Sequence, residues 1–310
     1  MLVCSQELQN DYTVASTTYS IKDLEQLTGI KAHTLRIWEK RHKVVQPQRT
    51  QTNIRFYTDE DLRKLLNISI LNRHGHKISS IASLQNEDLN RKIISISNTS
   101  FEIESHLEGM MVAMLELDEQ KFEKLLNSII LNLGFEDTVT KVLSPFFEKI
   151  GILWQIGTIN PAQEHFISNL IRQKMIVAID GLMRPSNLPD KKTFLLYLHE
   201  TELHELSLLY YSYLIQKKGH KVIYLGQMVP LDDLSLIAQI QAPDIIVTIF
   251  TTNYKINVVQ NHVEKLATMF ATKQIFVGGL QFKLHEFVLP GNVTLVQSID
   301  TLKIQLDMLS

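Results

Sequence analysis

A carboxylate and an imidazole two residues apart, Glu202 and His204, lie between an apolar run and an amphipathic one. Residues 193–197 read as a buried strand, and residues 208–218 as a helix stopped at Gly219. The pair therefore falls on a βα loop at the carboxyl end of a strand, where open α/β sheets bind ligands. An imidazole can ligate a metal, and a neighbouring carboxylate can fix which ring nitrogen does so. Taken alone, the two residues also read as solvated polar side chains on a surface loop.

The elements that must position this loop are those of a parallel α/β domain. Strands are expected at 193–198, 221–225, 244–250, 274–278 and 293–297, with helices at 206–218, 231–241, 256–271 and 299–309. Apolar strands alternating with amphipathic helices predict a sheet covered on both faces. Its loops at 202–207, 226–230, Thr251-Thr252 and Gly278-Gly279 should converge at one end. The double glycine would admit close backbone approach to a ligand, or form an ordinary turn.

Ahead of this domain the chain reads as helical. Helices are expected over residues 100–117, from Glu119 to Leu133 with Asp118 as cap, and over 136–151 with a kink or restart at Pro145. A fourth starts with Asn160 as N-cap, Pro161 at the first helical position and Gln163 completing a capping box, and runs to about Met183. Four helices with short loops predict a four-helix bundle. Trp154 precedes the last helix, and Glu164 and His165 lie on its first turn. By residue type alone, Trp154 reads as bundle core and the Glu-His pair as a solvated first turn.

The first part of the chain reads differently. Ser20-Ile21-Lys22-Asp23 is a capping-box start, and Gly29 stops that helix. A second helix is expected from about Ala32 to Arg41, with Leu35 and Ile37 inward. Residues 31–55 hold seven basic residues (Lys31, Arg36, Lys40, Arg41, Lys43, Arg49 and Arg55) against one acid, Glu39. Gln46-Pro47 turns the chain, and residues 54–57 return as a short strand, giving a hairpin wing. Thr58 to Asp61 caps a third helix. Two short helices, a wing and a concentrated positive charge fit a helix-turn-helix that binds double-stranded DNA. Lys31, Arg41, Arg49 and Arg55 would neutralise phosphates, Tyr57 would add a phosphate contact, and Thr34 and Arg36 sit where base edges are usually read. Trp38 reads either as core or as part of this surface.

Composition excludes several classes. With 310 residues, 45% hydrophobic and 21% charged, the chain can form more than one globular core. The formal net charge is −2, so any basic surface is local. The single cysteine, Cys4, excludes a disulfide framework and a Cys-rich zinc site, and suits a reducing, cytoplasmic compartment. No signal peptide and no membrane span are expected. The expected layout is a mobile tail at 1–18, a winged helix-turn-helix head at 19–86, a linker at 87–99, a helical-bundle cap at 100–185, and an α/β domain at 189–310.

Tyr19-Ser20-Ile21, Leu27-Thr28-Gly29-Ile30, the run from His33 through Thr34, Arg36, Trp38 and Glu39 to Arg41, and Arg55-Phe56-Tyr57-Thr58 onward to Leu62 resemble the DNA-binding domain of the MerR family of transcription regulators. That family usually has Tyr where Trp38 stands. The resemblance implies that Lys31, His33, Thr34, Arg36, Trp38, Arg41, Arg49, Arg55 and Tyr57 form the DNA-binding set.

Trp154, followed after nine residues by Glu164-His165, resembles the helical cap of cobalamin-binding photoreceptor regulators of the CarH type. There these residues are taken to face the upper ligand of the corrinoid. Glu202-Leu203-His204-Glu205-Leu206-Ser207 resembles the (Asp/Glu)-x-His-x-x-Gly motif of base-off, His-on cobalamin proteins. Tyr224-Leu225-Gly226, Val229-Pro230-Leu231 and Val277-Gly278-Gly279 are similar to the same flavodoxin-like, Rossmann-type domain. The resemblance implies that His204 is the lower axial ligand of cobalt and that Glu202 tunes its basicity. The displaced nucleotide tail would run beside Ser207, Gly278 and Gly279, with Thr251 nearby.

Three departures stand out. Ser207 occupies the glycine position of the motif. The family's Ser-x-Leu after the third strand has two candidate places, at Thr248-x-Phe250 or Thr251-Thr252. Gln155 stands beside Trp154 where light sensors can carry His.

The reading implied is a non-enzymatic, corrinoid-responsive regulator, a repressor of photoreceptor-like type. Adenosylcobalamin would be held between Trp154 and His204, and a homo-oligomer (dimer or tetramer) would present paired heads to an operator. Two alternatives stay open: the same regulator with a cofactor-free assembly domain, and a corrinoid methyl-carrier subunit.

Overall fold

The computed structural model describes residues 18–50, 52–73, 75–84, 88–89, 92, 103–155, 159–182 and 191–309, with the side chains of Trp154 and Gln155 among a few left out. The expected tail up to residue 17, most of the expected linker, and the expected end of the fourth helix at Met183 lie outside the described residues. The chain forms two compact units, residues 1–167 and 168–310, which divide within one helix. No helix among the described residues is long and apolar enough to cross a membrane.

In the first unit, α1 (Ile21–Thr28) begins at the expected capping box. Ser20 Oγ accepts from the Asp23 amide at 3.3 Å, and the Ser20 amide donates to Asp23 Oδ2 at 2.7 Å. Gly29 ends it in the left-handed region at φ 71°, which a side chain would strain. Helix α2 (Ala32–His42) has no cap of its own. Glu25 of α1 supplies one, accepting from the Ala32 amide at 3.1 Å and from Lys31 Nζ at 3.0 Å. This arrangement fixes the angle at which α2 leaves α1.

Strands β1 (Gln48–Arg49) and β2 (Arg55–Phe56) form the antiparallel wing. Tyr19 and Tyr57 exchange both backbone hydrogen bonds, tying the wing's exit to the start of α1. Thr58 and Asp61 cap α3 (Asp59–Arg73) reciprocally, and α4 (Ile78–Ile81) follows.

Helix α5 (Ile103–Glu116) is buried along most of its length and packs on α3 as well as on α6 (Glu119–Leu133). Ser69 of α3 lies within hydrogen-bond distance of both the Thr28 carbonyl and Glu108 of α5. The expected third helix is broken differently from its prediction. A short α7 (Phe135–Thr138) passes through a π turn (Val139–Leu143) into α8 (Ser144–Gln155). Pro145 cannot donate to a carbonyl one turn back. The wider π turn, in which the Ser144 amide reaches Val139 O, absorbs the mismatch upstream of the proline. Helix α9 (Pro161–Asp180) starts as expected, with Asn160 Oδ1 accepting from the Ala162 amide at 2.9 Å and Gln163 Oε1 from the Asn160 amide at 3.2 Å.

In the second unit the five described strands form one parallel sheet. They are β3 (Thr193–His199), β4 (Lys221–Val229), β5 (Ile245–Ile249), β6 (Gln274–Gly278) and β7 (Val293–Val296), in the order β4-β3-β5-β6-β7. This is the flavodoxin-like order, whose connections reverse direction between β3 and β5. The helices are α10 (Leu206–Lys217), α11 (Leu231–Gln241), α12 (Ile256–Met269), α13 (Gln281–Leu284) and α14 (Ile299–Met308). Residues 194–198 of β3 are fully buried because both sheet faces are covered, so apolarity there is continuous rather than alternating. Leu195 and Tyr197 enter a core with Leu234 of α11 and Val259, Val263 and Leu266 of α12, while α10 packs against β3, β4 and β5.

One expected loop is strand instead. Strand β4 continues to Val229 through a register shift, with Gly226 at φ 77° and Met228 at φ 56°. A bulge of this kind lets the strand bend without ending.

Candidate functional site

The reversal of connections places the ends of β3 and β5 side by side, and the predicted chemistry gathers there. Glu202 has no exposed surface. Its Oε1 accepts from the His204 amide at 3.0 Å, from His204 Nδ1 at 2.7 Å and from Thr252 Oγ1 at 2.7 Å. Its Oε2 accepts from the Thr251 and Thr252 amides, each at 2.8 Å. Burial alone would raise its pKa. The hydrogen bonds from His204 and Thr252 outweigh burial and bring it down to about 2.

An ionised carboxylate can only accept, so Nδ1 of His204 is the donor and the tautomer places the ring's lone pair on Nε2. The His204 side chain is 62% exposed and lies on the loop that follows β3. That is the chemistry of a metal ligand oriented by a carboxylate. Among the described residues no cluster of three or more His, Cys, Asp or Glu could hold a metal ion.

The neighbouring Glu205 was not singled out by sequence, although it lies within the quoted motif. It is buried and accepts from Arg172 of α9, which forms an ion pair with it, and from the Tyr224 hydroxyl at 2.9 Å. Burial, reinforced by the Glu205 charge, raises the Tyr224 phenol, which keeps it a donor. Gln227 on the extended part of β4 donates to the Leu203 carbonyl. The His204 loop is thus held from α9, β4 and β5. Arg172 carried no sequence signal, because its partner lies 33 positions away.

The remaining predicted residues are placed as follows. Ser207 is exposed on the first turn of α10. Thr251 contributes its amide to Glu202, and Thr252 contributes amide and hydroxyl, the larger share. Glu164 and His165 contact each other on the first turn of α9, 3.1 Å apart, with the imidazole exposed. They belong to the first unit, and the Trp154 side chain lies outside the described residues.

Gly278 and Gly279 are explained by the chain itself. A Cβ at Gly278 would meet Val296 O at 2.8 Å and the Tyr211 hydroxyl at 3.4 Å. One at Gly279 would meet Phe250 O at 2.4 Å and Ile249 Cγ2 at 2.7 Å. Both glycines let the turn after β6 pack closely against β5, β7 and α10. The chemistry of the Glu202–His204 pair fits an imidazole ligand of a corrinoid.

In the head, α2 turns His33, Arg36, Lys40 and Arg41 outward, with Thr34 partly exposed. Arg49 and Arg55 are exposed and directly opposite each other on the wing. Like charges at such a position repel, and an anion between them relieves the repulsion. Lys31 is exposed and paired with Glu25.

Three expectations need correction here. Tyr57 is fully buried and its hydroxyl donates to Glu39, so it is a fastener of the wing rather than a phosphate contact. Trp38 is 8% exposed and packs in the head's core. Ile37, expected inward, is 46% exposed beside Arg36, Lys40 and Arg41. The helical period that buries Leu35 and Trp38 turns Ile37 away from the core.

Residues 19–88 match the family described as "MerR HTH family regulatory protein", and residues 107–178 match "B12 binding domain". The HTH-type transcriptional repressor CarH of Myxococcus xanthus is 28% identical over 239 residues, 75% of this chain and 79% of that one. The HTH-type transcriptional repressor CarA of the same organism is 24% identical over 271 residues, 86% of this chain and 88% of that one. An uncharacterized HTH-type transcriptional regulator, YyaN of Bacillus subtilis (strain 168), is 31% identical over 112 residues, 33% of this chain and 81% of that one. Among solved structures, the monomethylamine corrinoid protein of Methanosarcina barkeri shares the fold. Its TM-score is 0.51 at 14% identity, covering 64% of this chain and 96% of that one.

Proposed function

The chain belongs to the MerR family of helix-turn-helix regulatory proteins and carries a B12 binding domain, and we propose on that premise that it is a repressor whose grip on operator DNA responds to a corrinoid. The observation that carries the corrinoid reading is the Glu202–His204 pair, a fully buried ionised carboxylate on the Nδ1 of an exposed imidazole at the sheet's switch point. A corrinoid, adenosylcobalamin in the first instance, would be held through His204 and would supply a cobalt ion and a light-sensitive cobalt–carbon bond.

The chain's own residues do the rest. Glu202 holds His204 in the ligating tautomer. Arg172 and Tyr224 hold Glu205, and with it the loop that presents His204. Trp154, Glu164 and His165 are assigned to the upper-ligand side of the cap. Ser207, Gly278 and Gly279, with Thr251 nearby, would border the nucleotide tail of the corrinoid. In the head, Arg36 and Thr34 read base edges, with His33 beside them, and Lys31, Arg41, Arg49 and Arg55 meet phosphates.

Ligand occupancy would shift the assembly between oligomeric states, dimer or tetramer, that pair the heads. Such coupling is typically about 1–3 kcal/mol and is reciprocal, so operator DNA tightens corrinoid binding by the factor that corrinoid tightens DNA binding. No catalytic step is required, and a basic head has no use in a methyl carrier.

The test is a gel shift on the DNA upstream of the chain's own reading frame, dark and illuminated, with and without adenosylcobalamin. A shift that depends on the corrinoid supports the reading. A shift indifferent to it leaves a MerR regulator whose α/β domain serves assembly alone, the second reading, which Ser207 in the motif's glycine position favours.

A further inference from the structure

We propose that the carboxamide of Gln281 is a contact group for the bound corrinoid, pairing its donor and its acceptor with an amide or hydroxyl of that ligand. The inference rests on the corrinoid reading above and adds to it a residue that no sequence motif marked.

Gln281 has no exposed surface, and neither its side-chain nitrogen nor its side-chain oxygen has a hydrogen-bond partner among the described residues. It is the only buried side chain among them with two polar atoms so placed. A carboxamide carries two N–H donors and an acceptor oxygen. Folded chains rarely leave such groups unpaired, because burial takes away their hydrogen bonds to water. A methionine would fill the same space without that cost. The amide therefore calls for a partner from outside the described chain.

Its position agrees with a ligand as that partner. The Gln281 amide donates to Phe250 O at 3.1 Å, and the Phe250 amide to Gly278 O at 2.9 Å. The next two amides along the chain, those of Thr251 and Thr252, donate to Glu202, the carboxylate that receives the hydrogen bond of His204 Nδ1. One short backbone segment, residues 250–252, thus joins Gln281 to the Glu202–His204 pair. Both lie at the carboxyl ends of the strands, where open α/β sheets take ligands. A corrinoid offers the missing chemistry from two sources. Its ring bears primary amide side chains, and its nucleotide loop bears ribose hydroxyl, phosphate and amide groups.

The experiment compares the natural full-length protein with Gln281→Met, whose side chain has similar length and no hydrogen-bonding amide. Both are melted without ligand and titrated in the dark with adenosylcobalamin and with adenosylcobinamide, read by absorbance. The expected changes have opposite signs. The ligand-free variant melts about 2–4 °C higher because the unpaired amide is gone, and its adenosylcobalamin affinity falls about tenfold or more. An affinity loss at unchanged melting temperature also supports the proposal. Loss for both corrinoids assigns the partner to the ring amides, which adenosylcobinamide retains, and loss for adenosylcobalamin alone assigns it to the nucleotide loop. Unchanged affinity overturns the proposal. So does a lower melting temperature, which marks the amide as paired within the fold, through a side chain or an internal water. Binding of neither corrinoid by the natural protein overturns the corrinoid reading itself, which keeps the two failures apart.

Discussion

His204 donates from Nδ1 to Glu202 across 2.7 Å, and the carboxylate that accepts this hydrogen bond has no exposed surface. Five donors hold that carboxylate ionised. The imidazole therefore has one available tautomer. Glu202→Gln puts an amide NH₂ where only an acceptor fits. Corrinoid affinity should fall about 10–100-fold, as for other oriented ligands, while His204→Ala abolishes the axial-ligation change in the absorbance spectrum. A spectrum of the bound corrinoid that is the same for His204→Ala and the natural protein would remove His204 as ligand.

The wing arginines make a second prediction. Arg49 and Arg55 face each other across the ladder, and each should neutralise one phosphate. Arg49→Ala or Arg55→Ala should weaken all DNA sequences alike and reduce the slope of log K against log salt by about one. Gel shifts at several salt concentrations on specific and unrelated DNA measure this.

Ile37 should behave in the opposite way. It is an exposed apolar side chain among three cations on α2, suited to the methyl group of a thymine. Ile37→Ser should cost about 1 kcal/mol of discrimination at a single base pair and leave the salt slope unchanged. The same loss should follow when the contacted thymine is replaced by uracil, and loss at several positions at once would argue for a folding defect instead.

Tyr57→Phe tests the corrected role of that residue. Its phenol donates to Glu39 from a fully buried ring. Losing a hydrogen bond to a charged group should destabilise the head by about 1.5 kcal/mol, measured by thermal melting, with no change in salt slope. A lower salt slope at unchanged stability would restore Tyr57 to the phosphate-contact set.

His262 gives a pH dependence. It is buried on α12, its Nε2 2.8 Å from the Tyr197 hydroxyl and its ring against His199 and Phe250. Burial first, then the neighbouring His199 and Lys265, lowers its pKa from 6.5 to about 4. The unfolded chain binds this proton at higher pH than the folded one. Stability is therefore full above pH 6.5 and falls as pH drops towards 4, by about 3 kcal/mol at most. His262→Asn should flatten melting temperature against pH across that window, and an unchanged pH profile would show that the loss lies elsewhere.

Much of this was legible in order along the chain. Capping boxes at Ser20 and Asn160, stops at Gly29 and Gly219, and continuous apolar runs at the buried strands each depend on neighbours a few positions away. The Glu202-x-His204 spacing was likewise local, so a carboxylate beside an imidazole on a βα loop was expected from sequence, and the structure shows that contact. The bend upstream of Pro145 and the extension of β4 beyond Gly226 were not, because π turns and bulges are settled by what packs against them.

Amino-acid order alone determined that there is a basic winged head, a run of helices and a parallel sheet with an imidazole at one strand end. Tertiary structure decided which side chains are available for function. It buried Tyr57 and Trp38, exposed Ile37, brought Arg172 to Glu205 across 33 positions, and packed the Gly278-Gly279 turn against Ile249 and Tyr211. The reason is geometric. Element type follows from local periodicity, whereas exposure and partnership depend on contacts between residues far apart in sequence, which no local pattern encodes.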